Sequence, residues 1–315
     1  MIVILGDLIA DFSLRISEFP VKAGDLKRAH YLGLGPGGAT NVAIMAARLG
    51  LEVACLGEVG DDRFGRLILE GLHQEGIHVE GIVVSEQAET PVAGVIVDRS
   101  GEPAYLGYRG QLKVKDLLPD WLQRIKQADA IFVDGWEDHP HEHKIILEGL
   151  RQARAADVPT FFDPGPGNPE FDLAWQREAV NITTVLTATE AEASRLTGLP
   201  DPLASAKALL QQGPELVVMK RGVAGSLLLS RQSTEIAPGL PVEARDATGA
   251  GDSLDAAVIY GWLHELDLDS LGALANATGA AKVRKLGTGH NVPTKAEVQE
   301  MLDQFLPEFR DILTS

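Results

Sequence analysis

Alternation is the feature that most narrows what this chain can fold into. Ile2–Leu5, Val53–Gly57, Ala130–Asp134, Pro159–Asp163 and Glu215–Lys220 are short apolar runs rich in branched side chains, the pattern of strands buried on both faces. Between them, Thr40–Gly50, Asp62–Gly76 and His141–Asp157 carry apolar residues at helical spacing. The first two end on glycine, a frequent helix stop. Apolar strands separated by helices predict an α/β chain whose largely parallel sheet is covered by helices on both faces.

Two stretches break the rhythm. Asp11–Leu34 and Thr90–Gln111 hold strand-like runs, such as Val92–Asp98 and Pro103–Arg109, with no helix between them. They either pair into a small accessory sheet over one edge of the main one or form two separate surface hairpins. No repeat, low-complexity tract or long linker divides the 315 residues, so one domain, residues 1–315, with a small lid from segments 11–34 and 90–111, is the expected organisation.

Composition narrows the function class. A formal net charge of −17 repels nucleic acid and anionic membrane surfaces at long range. It leaves room for a phosphorylated ligand, because local N–H groups and bound cations override a global field. Cys55 is the single cysteine, which forbids an internal disulfide and suits a reducing compartment. The opening residues lack a basic region before Asp7, unlike a signal peptide, and no apolar run is long enough to span a bilayer. A cytoplasmic protein is the expectation.

The chemistry concentrates at Arg245–Leu263. From Leu254 onward the pattern is helical and apolar, so Thr248-Gly249-Ala250-Gly251 stands where the chain enters a helix. Helix starts leave N–H donors unsatisfied and carry partial positive charge. Small residues there let an anion approach, and such a hole suits a phosphoryl group in transfer. Asp252, at or beside the helix cap and held ionised by the same dipole, then has a purpose other than phosphate binding. It can accept the proton of an attacking hydroxyl. The plainer reading is a carboxylate that caps a helix after a tight turn.

Beyond this loop the residues fall into a known pattern. Asp246–Asp252 (DATGAGD) closely resembles the C-terminal signature of the ribokinase-like, or PfkB, carbohydrate kinases, and Gly35–Gly50 (GPGGATNVAIMAARLG) resembles the N-terminal one. Gly6–Asp11, Leu186–Gly198, Met219–Leu228 and Asn276–Val283 fall in the family's order, so the resemblance covers essentially the whole chain. It implies a three-layer α/β/α ribokinase-like fold with a mostly parallel central sheet and a small β-sheet lid. It implies ATP-dependent phosphorylation of a sugar-like alcohol, usually at a primary hydroxyl.

By matching positions, the resemblance makes Asp252 the general base and Gly249, Ala250 and Gly251 the anion hole. Asp11, Gly37, Gly38 and Asn41 would contact the sugar, while Lys220, Gly222, Gly225 and Asn276 would line the nucleotide. Glu192 matches the glutamate that organises Mg2+, through water. Asp246 and Thr248 match a monovalent-cation (K+) site found in some members. Departures are as informative. Thr189 stands where the family's Asn-x-x-Glu has asparagine, keeping an oxygen and losing an amide donor near the nucleotide phosphates. Ala247 replaces a common hydroxyl residue and Leu254 a common aromatic. The basic residue of the ribokinase sugar loop is absent from Gly37–Asn41, favouring a fructokinase-like or nucleoside-kinase-like pocket.

Three further signals compete for attention. Gly33–Gly38 (GLGPGG) is a literal G-x-G-x-x-G, but Pro36 removes an N–H from any dinucleotide cradle. A sugar-contacting turn is preferred over an oxidoreductase site. His139, His141 and His143 point to different helix faces and read as a polar helix entry with Asp138 near its cap. Asp134 and Glu137, just past a strand end, are placed where α/β sheets bind ligands. Arg109 is either a substrate contact or a surface arginine. The partners expected are a small sugar-like molecule and, through the lid strands, a second copy in a homodimer. The rival readings are a nucleoside kinase of the same fold and a non-catalytic sugar or nucleotide sensor, the latter favoured by Thr189.

Overall fold

Along β1 (Ile2–Leu5) the side chains alternate between two buried faces: Ile2 and Ile4 enter one apolar core, Val3 and Leu5 the other. The adjacent Phe161 and Phe162 divide in the same way. The structure is a computed structural model and describes residues 1–136, 140–166 and 173–314.

After β1 come β2 (Leu8–Arg15), β3 (Tyr31–Gly38), β4 (Val53–Gly60), β5 (Ile82–Ser85), β6 (Val92–Val97), β7 (Pro103–Tyr108), β8 (Ala130–Asp134), β9 (Thr160–Asp163), β10 (Val185–Thr189), β11 (Leu216–Lys220), β12 (Ser226–Ser230) and β13 (Thr234–Ala237). The helices are α1 (Ala39–Leu49), α2 (Arg63–Gln74), α3 (Pro119–Lys126), α4 (Pro140–Ala155), α5 (Ala174–Asn181), α6 (Glu190–Thr197), α7 (Pro202–Leu210), α8 (Ala250–Leu263), α9 (Leu268–Val283) and α10 (Lys295–Phe305).

The main sheet has nine strands in the order β13-β12-β11-β10-β9-β8-β1-β4-β5. It is parallel from β5 to β11, with antiparallel β12 and β13 at one edge. Helices α1, α2, α8, α9 and α10 cover one face and α3 to α7 the other, giving the three-layer α/β/α fold. No helix among the described residues is long and apolar enough to cross a membrane.

The helix-free segments do not form separate hairpins. The β2–β3 and β6–β7 hairpins join through parallel pairing of β2 with β6, making a four-stranded sheet in the order β3-β2-β6-β7. Its two faces differ. Asp11, Ala93 and Tyr105 look inward on a cleft. Phe12, Leu32, Leu34, Leu106 and Tyr108 are exposed, with Phe12 level with Leu34 and, across Gly94, with Leu106. The Gly33–Gly38 motif lies inside β3, so the expected turn is a strand. Pro36 is tolerated because β3 is an edge strand.

Candidate active site

Parallel strands present their C-terminal ends on one side of a sheet, and the chain continues from those ends into ligand-facing loops. Here that edge carries Asp7 after β1, Asp134 ending β8, Asp163 ending β9, Thr189 ending β10 and Lys220 ending β11. Between the edge and the small sheet lies a cavity of about 520 Å³. Its wall includes Asp11, Gly38, Asn41, Thr189, Glu192, Lys220, Gly222 and Gly225. Thr248, Gly249, Ala250, Gly251, Asp252 and Asn276 complete it from the helical side. Of the residues singled out from sequence, Gly37, Arg109 and Asp246 stand behind or beside this wall.

The loop before α8 is fixed by Asp246, whose carboxylate accepts the N–H of Thr248 (2.9 Å) and of Gly287 (2.7 Å). Gly249 caps the helix at φ 75°, a left-handed conformation suited to glycine. The helix begins at Ala250, inside the segment expected to lead into it, and Asp252 is its third residue rather than its cap. The Ala250 N–H, expected in the anion hole, donates to Ala247 O at 3.1 Å. The N–H groups of Gly249, Gly251 and Asp252 find no acceptor among the described residues, which makes them the donors open to an anion.

Asp252 accepts from Asn41 Nδ2 at 2.8 Å. Burial pushes its carboxyl up to about 6, with the Asn41 bond pulling the other way. Desolvation makes the carboxylate more basic than an exposed aspartate, while a value near 6 leaves it ionised at neutral pH. Asn41 is itself oriented, since its Oδ1 accepts the Gly289 N–H at 2.9 Å.

Asp11 is buried on β2, accepts from Thr288 Oγ1 at 2.6 Å, and is raised to about 7, chiefly by burial. Gly37 makes room for it: a Cβ there would lie 2.1–2.3 Å from the Asp11 carboxyl. Its part is to admit Asp11 rather than to line the cleft. Arg109 approaches Asp7 at 4.0 Å.

At the other end, Lys220 Nζ bonds Asp163 Oδ2 at 2.6 Å and lies 3.4 Å from Asp255 Oδ2. All three are buried. These two carboxylates hold the ammonium protonated against the cost of burial. Asp163, Asp252 and Asp255 are close enough to share a cation, yet Lys220 already serves Asp163 and Asp255. Neither of those two aspartates was singled out from sequence.

Thr189 and Glu192 close a reciprocal cap on α6. Thr189 N–H donates to Glu192 Oε2 (2.7 Å) and Glu192 N–H to Thr189 Oγ1 (3.2 Å). The T-x-x-E spacing is the sequence signature of this box, so threonine has a structural reason to stand there. Burial, then nearby Asp163, raises the Glu192 carboxyl. Asn276 donates to the carbonyls of Ala237 (2.9 Å) and Pro238 (3.0 Å), fixing the loop beside Gly225 and Gly239.

Sequence reasoning also passed over Lys282 and two aromatics. Lys282 is fully buried in the last turn of α9, its ammonium pushed down to about 8 by burial and supported by Asp246 and Asp252. Trp136 meets Tyr105 edge-on at 5.7 Å between ring centroids, and both line the cleft. His143 stacks on Trp175 with ring centroids 4.3 Å apart. Glu137, Asp138 and His139 lie outside the described residues. Asp134 is buried behind the wall, accepting the Asp7 N–H at 3.3 Å.

Known proteins resemble this chain along most of its length. The model of the pfkB family carbohydrate kinases matches residues 1–295. Ribokinase of Mus musculus is 30% identical over 311 residues, covering 94% of this chain and 93% of its own. A nucleoside kinase of Methanothermobacter thermautotrophicus is 27% identical over 293 residues, covering 93% and 92%. Among solved structures, Arabidopsis thaliana ribokinase complexed with ribose and ATP superposes with a TM-score of 0.81 at 23% identity, over 96% of this chain and 98% of that one.

Proposed function

The chain belongs to the pfkB family of carbohydrate kinases, and we propose that it transfers the γ-phosphoryl group of ATP to a hydroxyl of a sugar-like substrate in the cleft beneath the small sheet. One observation carries the assignment of roles. A carboxyl raised to about 6 and gripped by Asn41 sits in the same first turn of α8 as the open N–H donors.

Asp252 takes the proton of the attacking hydroxyl. The N–H groups of Gly249, Gly251 and Asp252 receive the charge that develops on the migrating phosphoryl group. Asp11 and Asn41 hold the acceptor, since carboxylates and amides match the donors and acceptors of a polyol. Lys220, Gly222, Gly225 and Asn276 line the nucleotide side, and Thr189 and Glu192 face its phosphates. The donor set suits Mg2+, a hard cation with oxygen ligands. Glu192 would hold it through water, and the bound ion would screen the charge between the β- and γ-phosphates. Segments 11–34 and 90–111 work as a lid that excludes water from the transfer. The exposed apolar outer face of that lid suits a second copy of the chain, and the lone buried Cys55 suits a reducing cytoplasm.

A nucleoside acceptor is the second reading, favoured by Trp136 and Tyr105 in the cleft wall, where a base could stack. Coupled ATP consumption across ketoses, aldoses, sugar acids and nucleosides separates the two. Asp252→Asn is expected to keep both ligands bound while turnover drops roughly 10²-fold or more. Undiminished turnover in that variant would reject Asp252 as the base.

A further inference from the structure

At the expected potassium position Thr248 Oγ1 is a buried oxygen without a hydrogen-bond partner among the described residues, but a buried ammonium of the chain itself acts on the neighbouring Asp246. Asp246 already has both carboxylate oxygens on backbone donors, Thr248 N–H at 2.9 Å and Gly287 N–H at 2.7 Å. Beside it stands the side chain of Lys282, 0% exposed. Its Cε lies 3.4 Å from where a Cβ of Gly249 would be, directly behind the anion hole. Its ammonium donates to the carbonyl of Lys285 at 3.4 Å. The carboxylates that act on it are Asp246 and Asp252, and the like charge is Lys285.

Lys282 thus brings the charge of a small cation, with one carbonyl oxygen at hydrogen-bond distance and two carboxylates acting on it from farther away. The ammonium occupies the last turn of α9, where carbonyl groups without helical partners favour positive charge. Buried carboxylates supply the counter-charge, and a carbonyl oxygen supplies a ligand. A second small cation in the same space would meet an ammonium and be repelled by it at short range.

We propose that Lys282 is a built-in counter-ion that replaces a diffusible monovalent cation behind the Gly249–Asp252 anion hole, so that phosphoryl transfer by this protein needs no potassium. Lys282 acts as a positioning residue. It holds the Asp246 loop and sets the field felt by Asp252 and by the hole without touching the acceptor. The inference rests on the kinase reading.

The test compares rates and melting temperatures in KCl, NH4Cl and tetramethylammonium chloride at one ionic strength. For the unaltered protein, rates within about twofold and equal melting temperatures across the three salts are expected. Lys282→Ala opens space for a small ion. It should lose about tenfold or more in tetramethylammonium, recover much of it in KCl or NH4Cl, and melt higher in KCl. Potassium activation of the unaltered protein by several-fold would overturn the proposal. So would a Lys282→Ala variant as active in tetramethylammonium as the parent.

Should that variant fail to fold, the salt series of the unaltered protein still decides. Lys282→Met, which keeps length and removes charge, supplies the second variant. If the unaltered protein turned over in no salt, the kinase reading would fall instead. A melting temperature raised by KCl alone would then overturn the counter-ion on its own.

Discussion

Asp252 and Asn41 form the smallest unit from which the behaviour of the site can be forecast. A base with its carboxyl raised to about 6 is ionised at neutral pH and neutralised below that value. The log of kcat/KM should therefore fall with unit slope as pH drops through about 6. The Asn41 bond lowers this value, so Asn41→Leu should move the inflection upward and reduce the rate at pH 7 by roughly tenfold. An inflection that stays put in the variant would separate Asn41 from the base. Both residues could be picked from sequence because each sits in a long signature. Lys282, Asp255 and Thr288 could not. Lys282 lies in the alanine-rich run Asn276–Val283, where periodicity leaves no polar face to tell inward from outward. Asp255 hides within the apolar pattern of α8, and Thr288 owes its place to contact with a residue 277 positions away.

Elements were most legible where strands are buried on both sides. β1 and β8 fall where the apolar runs predict, but β12 and the edge strand β13 were not anticipated. Their pairing is set by the antiparallel turns after β11 and not by a helix between strands. The cap of α8 is Gly249 rather than Asp252, a boundary marked by the left-handed conformation of that glycine. At this scale the small sheet offers its own test. Phe12, Leu32, Leu34, Leu106 and Tyr108 form an apolar face that a monomer leaves in water. Light scattering should give twice the chain mass, and Leu34→Lys with Leu106→Lys should halve it. A parent that runs as a monomer at micromolar concentration would remove the homodimer.

Across the whole molecule, the raised carboxyls act together. Asp11 at about 7 and Asp252 at about 6 take up protons in the folded state at pH values where the unfolded chain, near 3.8, does not. Burial raises Asp255 and Glu192 too. The lowered carboxyls, such as Asp62, Glu75 and Glu297, exert their pull below the ordinary carboxylate range. Between about pH 5 and 7 the folded state thus binds more protons, and stability falls as pH rises. The ligand-free protein should melt several degrees higher at pH 5.5 than at pH 7.5, and Asp11→Asn should flatten that difference. A melting temperature that climbs with pH over this window would contradict the assignment. The net charge of −17 was a guide to partners only at long range. The cleft is governed by open N–H groups and two buried lysines that a sum over the chain conceals.

The edge-on contact of Trp136 with Tyr105 ties the indole just past the main sheet to a phenol on the small one. Any hinging of one sheet away from the other must part the rings, so the molecule carries its own optical gauge. Emission should change when an acceptor is added to the unaltered protein, and Trp136→Phe should silence that signal.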